Sequence, residues 1–276
     1  MQLGIHIGTF HRSTLAETLD AVVRHKLHCV HFNMAAAGVP SMPERIDDEL
    51  CEQITKELAA REIAMATLSG TFNMIHPSAD VRRAGLRRLE AIASKARSLG
   101  TSVITLCTGT RDRDDMWRRH GDNDLPQAWD DLHASLEIAL AIADHYDLTL
   151  AVEPEVSNVM DSAAKARRLL DEIDSPRLKI IMDGANLFHY GQLPRMREIL
   201  DEAFELLAPD IVLAHAKDLD RDGDAGHVPA GQGVLDYDYY LALLKQAGFD
   251  GPLILHGLKE SDVPGCVAFL REKMDE

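Results

Sequence analysis

The segment Ile211-Val212-Leu213-Ala214-His215 is a short apolar run that ends on a residue able to bind a metal ion. The same pattern recurs at Thr149–Glu153, Lys179–Asp183 and Leu253–His256. Runs of this length that are apolar on both faces are typical of strands in a parallel sheet covered by helices. The repeated pattern therefore predicts an α/β fold.

Outward from these segments, short apolar runs alternate with amphipathic helical patterns along the whole chain. Eight strand–helix units are the number that closes a barrel, so we predict a single (β/α)₈ TIM barrel over residues 1–276. The alternative is an open doubly wound sheet, but Gly8-Thr9-Phe10-His11 is not the nucleotide fingerprint expected after its first strand. The predicted strands are Leu3–Gly8, His28–Phe32, Ala64–Ser69, Ser102–Cys107, Thr149–Glu153, Lys179–Asp183, Ile211–His215 and Leu253–His256. The predicted helices are Thr14–His25, Arg45–Arg61, Val81–Leu99, Leu125–His145, Ser162–Glu172, Arg195–Leu207, Tyr237–Ala247 and Val263–Lys273.

The composition is acidic, with 45 acidic and 29 basic residues and a formal net charge of −16. This balance argues against nucleic acid as a partner, because binding to a phosphate backbone needs clustered Lys and Arg. The sequence has no apolar stretch of the roughly 18 residues that cross a bilayer, and no secretory signal is visible at its start. Its four cysteines form no C-x-x-C pair. We therefore expect a cytoplasmic protein without a membrane partner.

The predicted barrel places its active site at the carboxyl ends of the strands. The four late strands are predicted to end on Glu153, Asp183, His215 and His256. A single Asp or His at a strand end often only caps a loop, but two carboxylates and two imidazoles crowded at one mouth need pairing or a metal. They predict one divalent ion. Mn²⁺ is favoured, with Zn²⁺, Co²⁺, Fe²⁺ and Mg²⁺ as alternatives.

Six motifs lie at or near the predicted strand ends: Phe72-Asn73-Met74-Ile75-His76-Pro77, Val152-Glu153-Pro154-Glu155, Asp183-Gly184-Ala185-Asn186, His215-Ala216-Lys217-Asp218, His227-Val228-Pro229-Ala230-Gly231-Gln232-Gly233 and Gly251-Pro252-Leu253-Ile254-Leu255. Together they resemble the xylose isomerase-like barrels, over nearly the whole chain. That group contains sugar phosphate isomerases and epimerases, inosose dehydratases and endonuclease IV-type DNA-repair enzymes. The H-x-K-D element is the most specific of the motifs, but it does not identify a substrate.

The resemblance implies a divalent-metal-dependent sugar or sugar phosphate isomerase or epimerase, which moves a proton next to a carbonyl through an enediolate. Glu153, Asp183 and His215 match three metal ligands of the family pattern. The fourth ligand of that pattern is a glutamate, and this chain has His256 there. We expect Glu153 to act as the base and His256 to return the proton. A sugar or polyol substrate and a homo-oligomer are also suggested by the resemblance.

Three other functions stay open. An inosose-type dehydratase would use the same residues. An endonuclease IV-like phosphodiesterase would need three metals; His76 and His227 fall where two further ligands would lie, but Cys107 and Asn186 stand where others are required. The third is a sugar-binding barrel that lost catalysis together with the glutamate that His256 replaces.

Five residues are predicted to bind the substrate: His76, Arg111, Asn186, Lys217 and His227. Most have a structural alternative. A loop histidine can bond to the backbone, Arg111 can belong to a solvated rim, and Lys217 can pair with Asp218.

Overall fold

Eight parallel strands form the centre of the computed structural model, which describes residues 1–275. Each strand lies beside the next one along the chain, and the last strand pairs with both the seventh and the first, so the sheet closes on itself. The predicted (β/α)₈ TIM barrel is therefore confirmed. The strands are β1 (Gln2–His6), β2 (Cys29–Phe32), β3 (Ala64–Ser69), β4 (Val103–Leu106), β5 (Thr149–Val152), β6 (Leu178–Asp183), β7 (Ile211–Asp218) and β8 (Pro252–Leu255).

A helix follows each strand and covers the outside of the barrel: α1 (Leu15–Arg24), α2 (Asp48–Ala59), α3 (Ala79–Ala96), α4 (Pro126–His145), α5 (Ala163–Ile173), α6 (Met196–Leu207), α7 (Tyr237–Gln246) and α8 (Val263–Asp275). Helix α1 shows why these segments fold this way. Its buried residues Leu15, Leu19 and Val22 recur every three or four positions and so form one apolar stripe. Thr14 and Glu17 close its first turn as a capping box. Within residues 1–275, no helix is long and apolar enough to cross a membrane.

The barrel interior has an apolar floor and a polar layer above it. Side chains alternate along a strand, so residues two apart point to the same side. The floor is a small cluster contributed by five strands: Cys29, Ala151, Ile181, Leu213 and Ile254. Two positions further along the same strands come His31, Glu153, Asp183, His215 and His256. The polar layer at the mouth therefore follows from strand periodicity.

Strand β1 follows the same rule, with Gly4 at floor level and His6 above it. A Cβ atom at Gly4 would lie 2.6 Å from Ile254 Cδ1 and 2.8 Å from the Cys29 carbonyl oxygen. Because neither contact leaves room for a side chain, glycine is required where the strands approach closely.

Two strand ends differ from the prediction by more than one residue. Strand β7 reaches Asp218 and not only His215, because Lys217 and Asp218 pair antiparallel with the two-residue strand Val228–Pro229. Strand β1 stops at His6 and does not reach Gly8, because the His6 Nδ1 atom accepts a hydrogen bond from the Gly8 N–H (3.2 Å) as the chain turns. The first difference places Lys217 on a strand and not in a loop.

Candidate metal centre and substrate cavity

Glu153, Asp183 and His215 come together at the carboxyl ends of β5, β6 and β7. Each offers one potential ligand atom, and these atoms lie within 4.8 Å of one another. Asp183 and His215 are direct neighbours in the β6–β7 register. His215 Nδ1 lies 3.1 Å from Glu153 Oε1 and 3.6 Å from Asp183 Oδ2. The barrel thus places two carboxylates and an imidazole around one point.

Charge at this point is balanced by two basic groups. Burial by itself lowers the pKa of His215, but the Glu153 and Asp183 carboxylates outweigh it and raise the pKa to about 9. Lys217 Nζ lies 3.2 Å from Asp183 Oδ2. Burial raises the pKa of Asp183, but Lys217 and His215 outweigh burial and hold this pKa below its usual range. Asp183 is fully buried. Such a charge needs a counter-charge.

Two buried atoms of the triad fit a bound cation. The His215 Nε2 atom is buried without a hydrogen-bond partner among the described residues, and Asp183 Oδ2 has the Lys217 ammonium at 3.2 Å but no hydrogen bond of good geometry. Buried polar atoms are nearly always paired, and an unpaired one calls for an explanation such as an ion. Carboxylate oxygens and an imidazole nitrogen are ligands that Mn²⁺, Fe²⁺, Co²⁺ and Zn²⁺ accept. The donor set therefore fits a divalent metal.

Asn186 holds the Glu153 carboxylate in place. Its Nδ2 donates to Glu153 Oε1 (2.7 Å), and its Oδ1 accepts from the Gly226 N–H (2.7 Å). Both ends of the amide are thus engaged within the protein. The structure brings Asn186 into the site, where it orients Glu153 and ties it to the loop after β7.

His256 lies beside the triad. Its ring stacks on His215, with centroids 4.9 Å apart and planes at 10°, and meets His6 edge-on at 5.0 Å. Within residues 1–275, the cluster of potential ligand atoms that lie within 4.8 Å of one another contains Glu153, Asp183 and His215 but not His256. Burial and the neighbouring His215 charge lower the pKa of His256. A ligand role for His256 stays a prediction.

A cavity of about 560 Å³ opens above this layer. One wall carries Glu153, His215 and Lys217; the other carries His6 and His31. His31 Nε2 and the Thr105 hydroxyl are 3.0 Å apart, so that wall has polar groups of its own.

His76 and Arg111 lie away from this cavity. His76 Nδ1 accepts from the Ser78 N–H (3.0 Å), and its Nε2 lies 3.2 Å from the Arg113 carbonyl oxygen. Arg111 is 8% exposed and pairs with Asp131 Oδ2 at 2.7 Å. Neither side chain is among the described residues that line the cavity.

Of the last two predicted substrate-binding residues, Lys217 lines the cavity and His227 does not. Lys217 pairs with Asp183 and not with Asp218. His227 Nε2 lies 2.6 Å from Asp220 Oδ1, and its Nδ1 lies 3.0 Å from the Ala225 carbonyl oxygen. His227 is therefore held within its own loop.

A family model described as the xylose isomerase-like TIM barrel matches residues 4–271. The chain belongs to this family. Curated relatives of this xylose isomerase-like barrel are sugar epimerases. L-ribulose-5-phosphate 3-epimerase UlaE of Escherichia coli O157:H7 is 27% identical over 183 residues, which are 66% of this chain and 58% of that protein. The chain thus spans about three fifths of the length of this relative.

Solved structures show the same fold at lower identity. A D-tagatose 3-epimerase-like protein superposes with a TM-score of 0.77 and 15% identity, covering 100% of this chain and 97% of that one. The IOLI protein with a bound zinc atom superposes with a TM-score of 0.73 and 16% identity, covering 99% of this chain and 96% of that one. At these identities the likeness establishes the architecture alone.

Three residues of this xylose isomerase-like barrel were missed by the sequence interpretation. Glu155 is 5% exposed and lines the cavity, and burial together with Glu153 raises its pKa to about 7. His6 and His31 are direct neighbours in the β1–β2 register. The signal was present, because both histidines follow a small floor residue, Gly4 or Cys29, by two positions. The four late strands carry the same two-residue spacing, so the rule that predicts their polar ends applies to β1 and β2 as well.

Proposed function

We propose that this barrel is a divalent-metal-dependent sugar or sugar phosphate isomerase or epimerase that transfers a proton next to a carbonyl group. The observation that carries the proposal is the triad of Glu153, Asp183 and His215 beside a cavity large enough for a sugar. The relationship to sugar epimerases supports it.

Glu153, Asp183 and His215 would hold the ion, for which we propose Mn²⁺ with Zn²⁺, Co²⁺, Fe²⁺ or Mg²⁺ as alternatives. A bound divalent ion would polarise a substrate carbonyl and lower the energy of an enediolate. His256 is proposed as the fourth ligand because it stands at the position of the family glutamate.

Glu153 is the proposed base. Asn186 and His215 both contact its Oε1 atom, which leaves Oε2 as the oxygen to take the proton. His256 contacts His215 from the β8 side, whereas Glu153 contacts it from the β5 side. In this proposal a proton-carrying group therefore lies on each side of His215, as transfer between two carbons or two faces of a substrate requires.

The test is solvent deuterium incorporation into a panel of ketoses and their phosphate esters by the metal-loaded protein. Glu153→Gln keeps the shape of the side chain but removes the base, so the exchange rate should fall by at least about 100-fold. Glu198→Gln removes an exposed carboxylate and should exchange like the parent. Elemental analysis should find one metal per chain.

Two outcomes would contradict the proposal. Metal-loaded protein that incorporates no deuterium into any ketose or inosose would favour the catalytically lapsed sugar-binding barrel. Three metals per chain together with salt-sensitive DNA binding would favour the phosphodiesterase.

A further inference from the structure

The barrel mouth has several groups of the kind that bind phosphate in other proteins, and each is already occupied by a carboxylate of the chain. The first is the glycine-containing loop after β7, a common phosphate site in TIM barrels. Asp218 Oδ2 accepts from the N–H groups of Gly231 (3.1 Å) and Gly233 (3.0 Å), and Oδ1 accepts from that of Leu235 (2.9 Å). These donors therefore point at a buried internal anion.

The second is the amino end of α1, which adjoins the cavity through a wider groove. Helix amino ends attract anions because their first N–H groups are unpaired and the helix dipole is positive there. Here Glu17 Oε2 accepts from the Thr14 N–H (3.2 Å) and hydroxyl (3.0 Å), and the Thr14 hydroxyl accepts from the Glu17 N–H (3.2 Å). The capping box thus engages this end of α1 with a hydroxyl and a carboxylate of the chain itself.

The remaining candidates are two cationic side chains. Arg12 lines the groove and pairs with Glu260, which follows β8. Lys217 lines the cavity and pairs with Asp183. Among the described residues, no Lys or Arg other than Arg12 and Lys217 lines the cavity or the groove. Each of the two is paired with a carboxylate of the chain.

The groove offers space for an uncharged extension of the substrate. Its volume is about 830 Å³, and it shares His6, Asn33 and Ser41 with the cavity. Ser13, Thr14 and Gln53 add neutral polar side chains. Hydroxyl and amide groups of this kind donate and accept hydrogen bonds, which suits the hydroxyls of a sugar.

From these contacts we propose that the substrate is an uncharged sugar or glycoside, with its far end in the groove, and not a sugar phosphate. This inference rests on the proposed isomerase or epimerase function. The proposed substrate thus differs from the phosphorylated ketose in the name of the curated relative, L-ribulose-5-phosphate 3-epimerase. The physical reason is that the Lys and Arg side chains available to a phosphate in the cavity or the groove, Lys217 and Arg12, are already paired with carboxylates of the chain.

The experiment compares the metal-loaded full chain acting on a ketopentose and on its 5-phosphate ester. Binding is measured by calorimetry and turnover by solvent deuterium incorporation. The unphosphorylated sugar should bind, and should exchange with a kcat/KM at least about tenfold higher than that of the ester. An ester that binds or reacts as well as the free sugar overturns the inference.

Glu260→Gln supplies a gain-of-function arm because it releases Arg12. The ratio of phosphate-ester to free-sugar kcat/KM should rise about tenfold in this variant. Asp147→Asn is the control: it also removes one negative charge and releases Arg97, together with one of the two carboxylate partners of Arg177, but in the loop before β5 at the other end of the barrel. An unchanged ratio in Glu260→Gln contradicts exclusion by internal carboxylates.

The binding data separate this inference from the proposed function. If the free sugar binds and the ester does not, yet neither incorporates deuterium, the proposed catalysis fails and the preference for uncharged sugar stands. If deuterium enters the ester at least as fast as the free sugar, the function stands and the inference fails.

Discussion

The half of the barrel mouth formed by β5, β6 and β7 is ionised, whereas the half formed by β1, β2 and β8 is neutral. His215 belongs to the first half, where burial is outweighed by Glu153 and Asp183 and the pKa rises to about 9. His6 belongs to the second, where burial and the positive charge of His215 lower the pKa to about 4. The rings of both halves are in contact through His256.

The comparison shows that nearby carboxylates, and not burial, decide the charge of a histidine at this mouth. Burial lowers the pKa in both halves, but of the four histidines in the polar layer, which are His6, His31, His215 and His256, only His215 has described acidic groups within 4 Å. The carboxylates of the ionised wall can bind a cation once His215 has lost its proton, and a wall of neutral imidazoles can share hydrogen bonds with sugar hydroxyls. In the proposed function, the metal would lie against the ionised half and the body of the substrate against the neutral half.

The largest expected effect comes from removing the charge of Asp183. Asp183→Asn takes away one proposed ligand and the partner of Lys217, so Mn²⁺ affinity should fall by more than about 100-fold, beyond what loss of a supporting hydrogen bond costs. Calorimetric titration with Mn²⁺ measures this. Asp131→Asn is the control, because that carboxylate pairs with Arg82 and Arg111 away from the cavity. A loss below tenfold would place the metal elsewhere.

The pH dependence of metal binding tests the ionised half directly. With a pKa raised to about 9, His215 is protonated at neutral pH and must lose a proton before it can bind a metal. Mn²⁺ affinity should therefore rise with pH by about tenfold per unit between pH 6 and 8, and level off above about 9. His133→Gln, which changes a surface histidine, should follow the same curve. An affinity independent of pH would contradict the charge assigned to His215.

Asn186→Ala should leave the metal bound but weaken catalysis. Without its amide the Glu153 carboxylate loses a 2.7 Å hydrogen bond and can rotate, so deuterium exchange should fall by about 10- to 100-fold. Asn123→Ala removes an equally buried amide whose partners are Ser157, Thr110 and Arg111. Both variants should lower the melting temperature, but only Asn186→Ala should lose exchange. Equal losses would make Asn186 merely structural.

The smallest effect is expected in the neutral half, and it decides the fourth ligand. If His256 is the fourth ligand, as its position suggests, His256→Gln should lower Mn²⁺ affinity by about tenfold, less than the loss of a charged ligand. His6→Gln serves as the comparison from the same half and should leave Mn²⁺ affinity unchanged. A change of less than about threefold in His256→Gln would leave the metal to the ionised half alone and sharpen the division of the mouth into two halves.

Positions in the late strands were predictable because parallel strands in a barrel end at one rim. This rule predicts that Glu153, Asp183 and His215 lie together, as they do. It said nothing about the loops, where His76, Arg111 and His227 are held by the Ser78 N–H, Asp131 and Asp220. Those partners depend on loop conformation, which has no two-residue period from which it could be inferred.

The sequence by itself determined the barrel and the polar layer at its mouth, because the two-residue period of each strand is a local property of the chain and eight strand–helix units are the number that closes a barrel. Only the tertiary structure decided which histidine is ionised and which phosphate-binding groups are already occupied. His215 obtains its charge from Glu153, 62 residues away along the chain, and Arg12 is neutralised by Glu260, 248 residues away. Electrostatic energy depends on distance in space, and folding alone sets that distance.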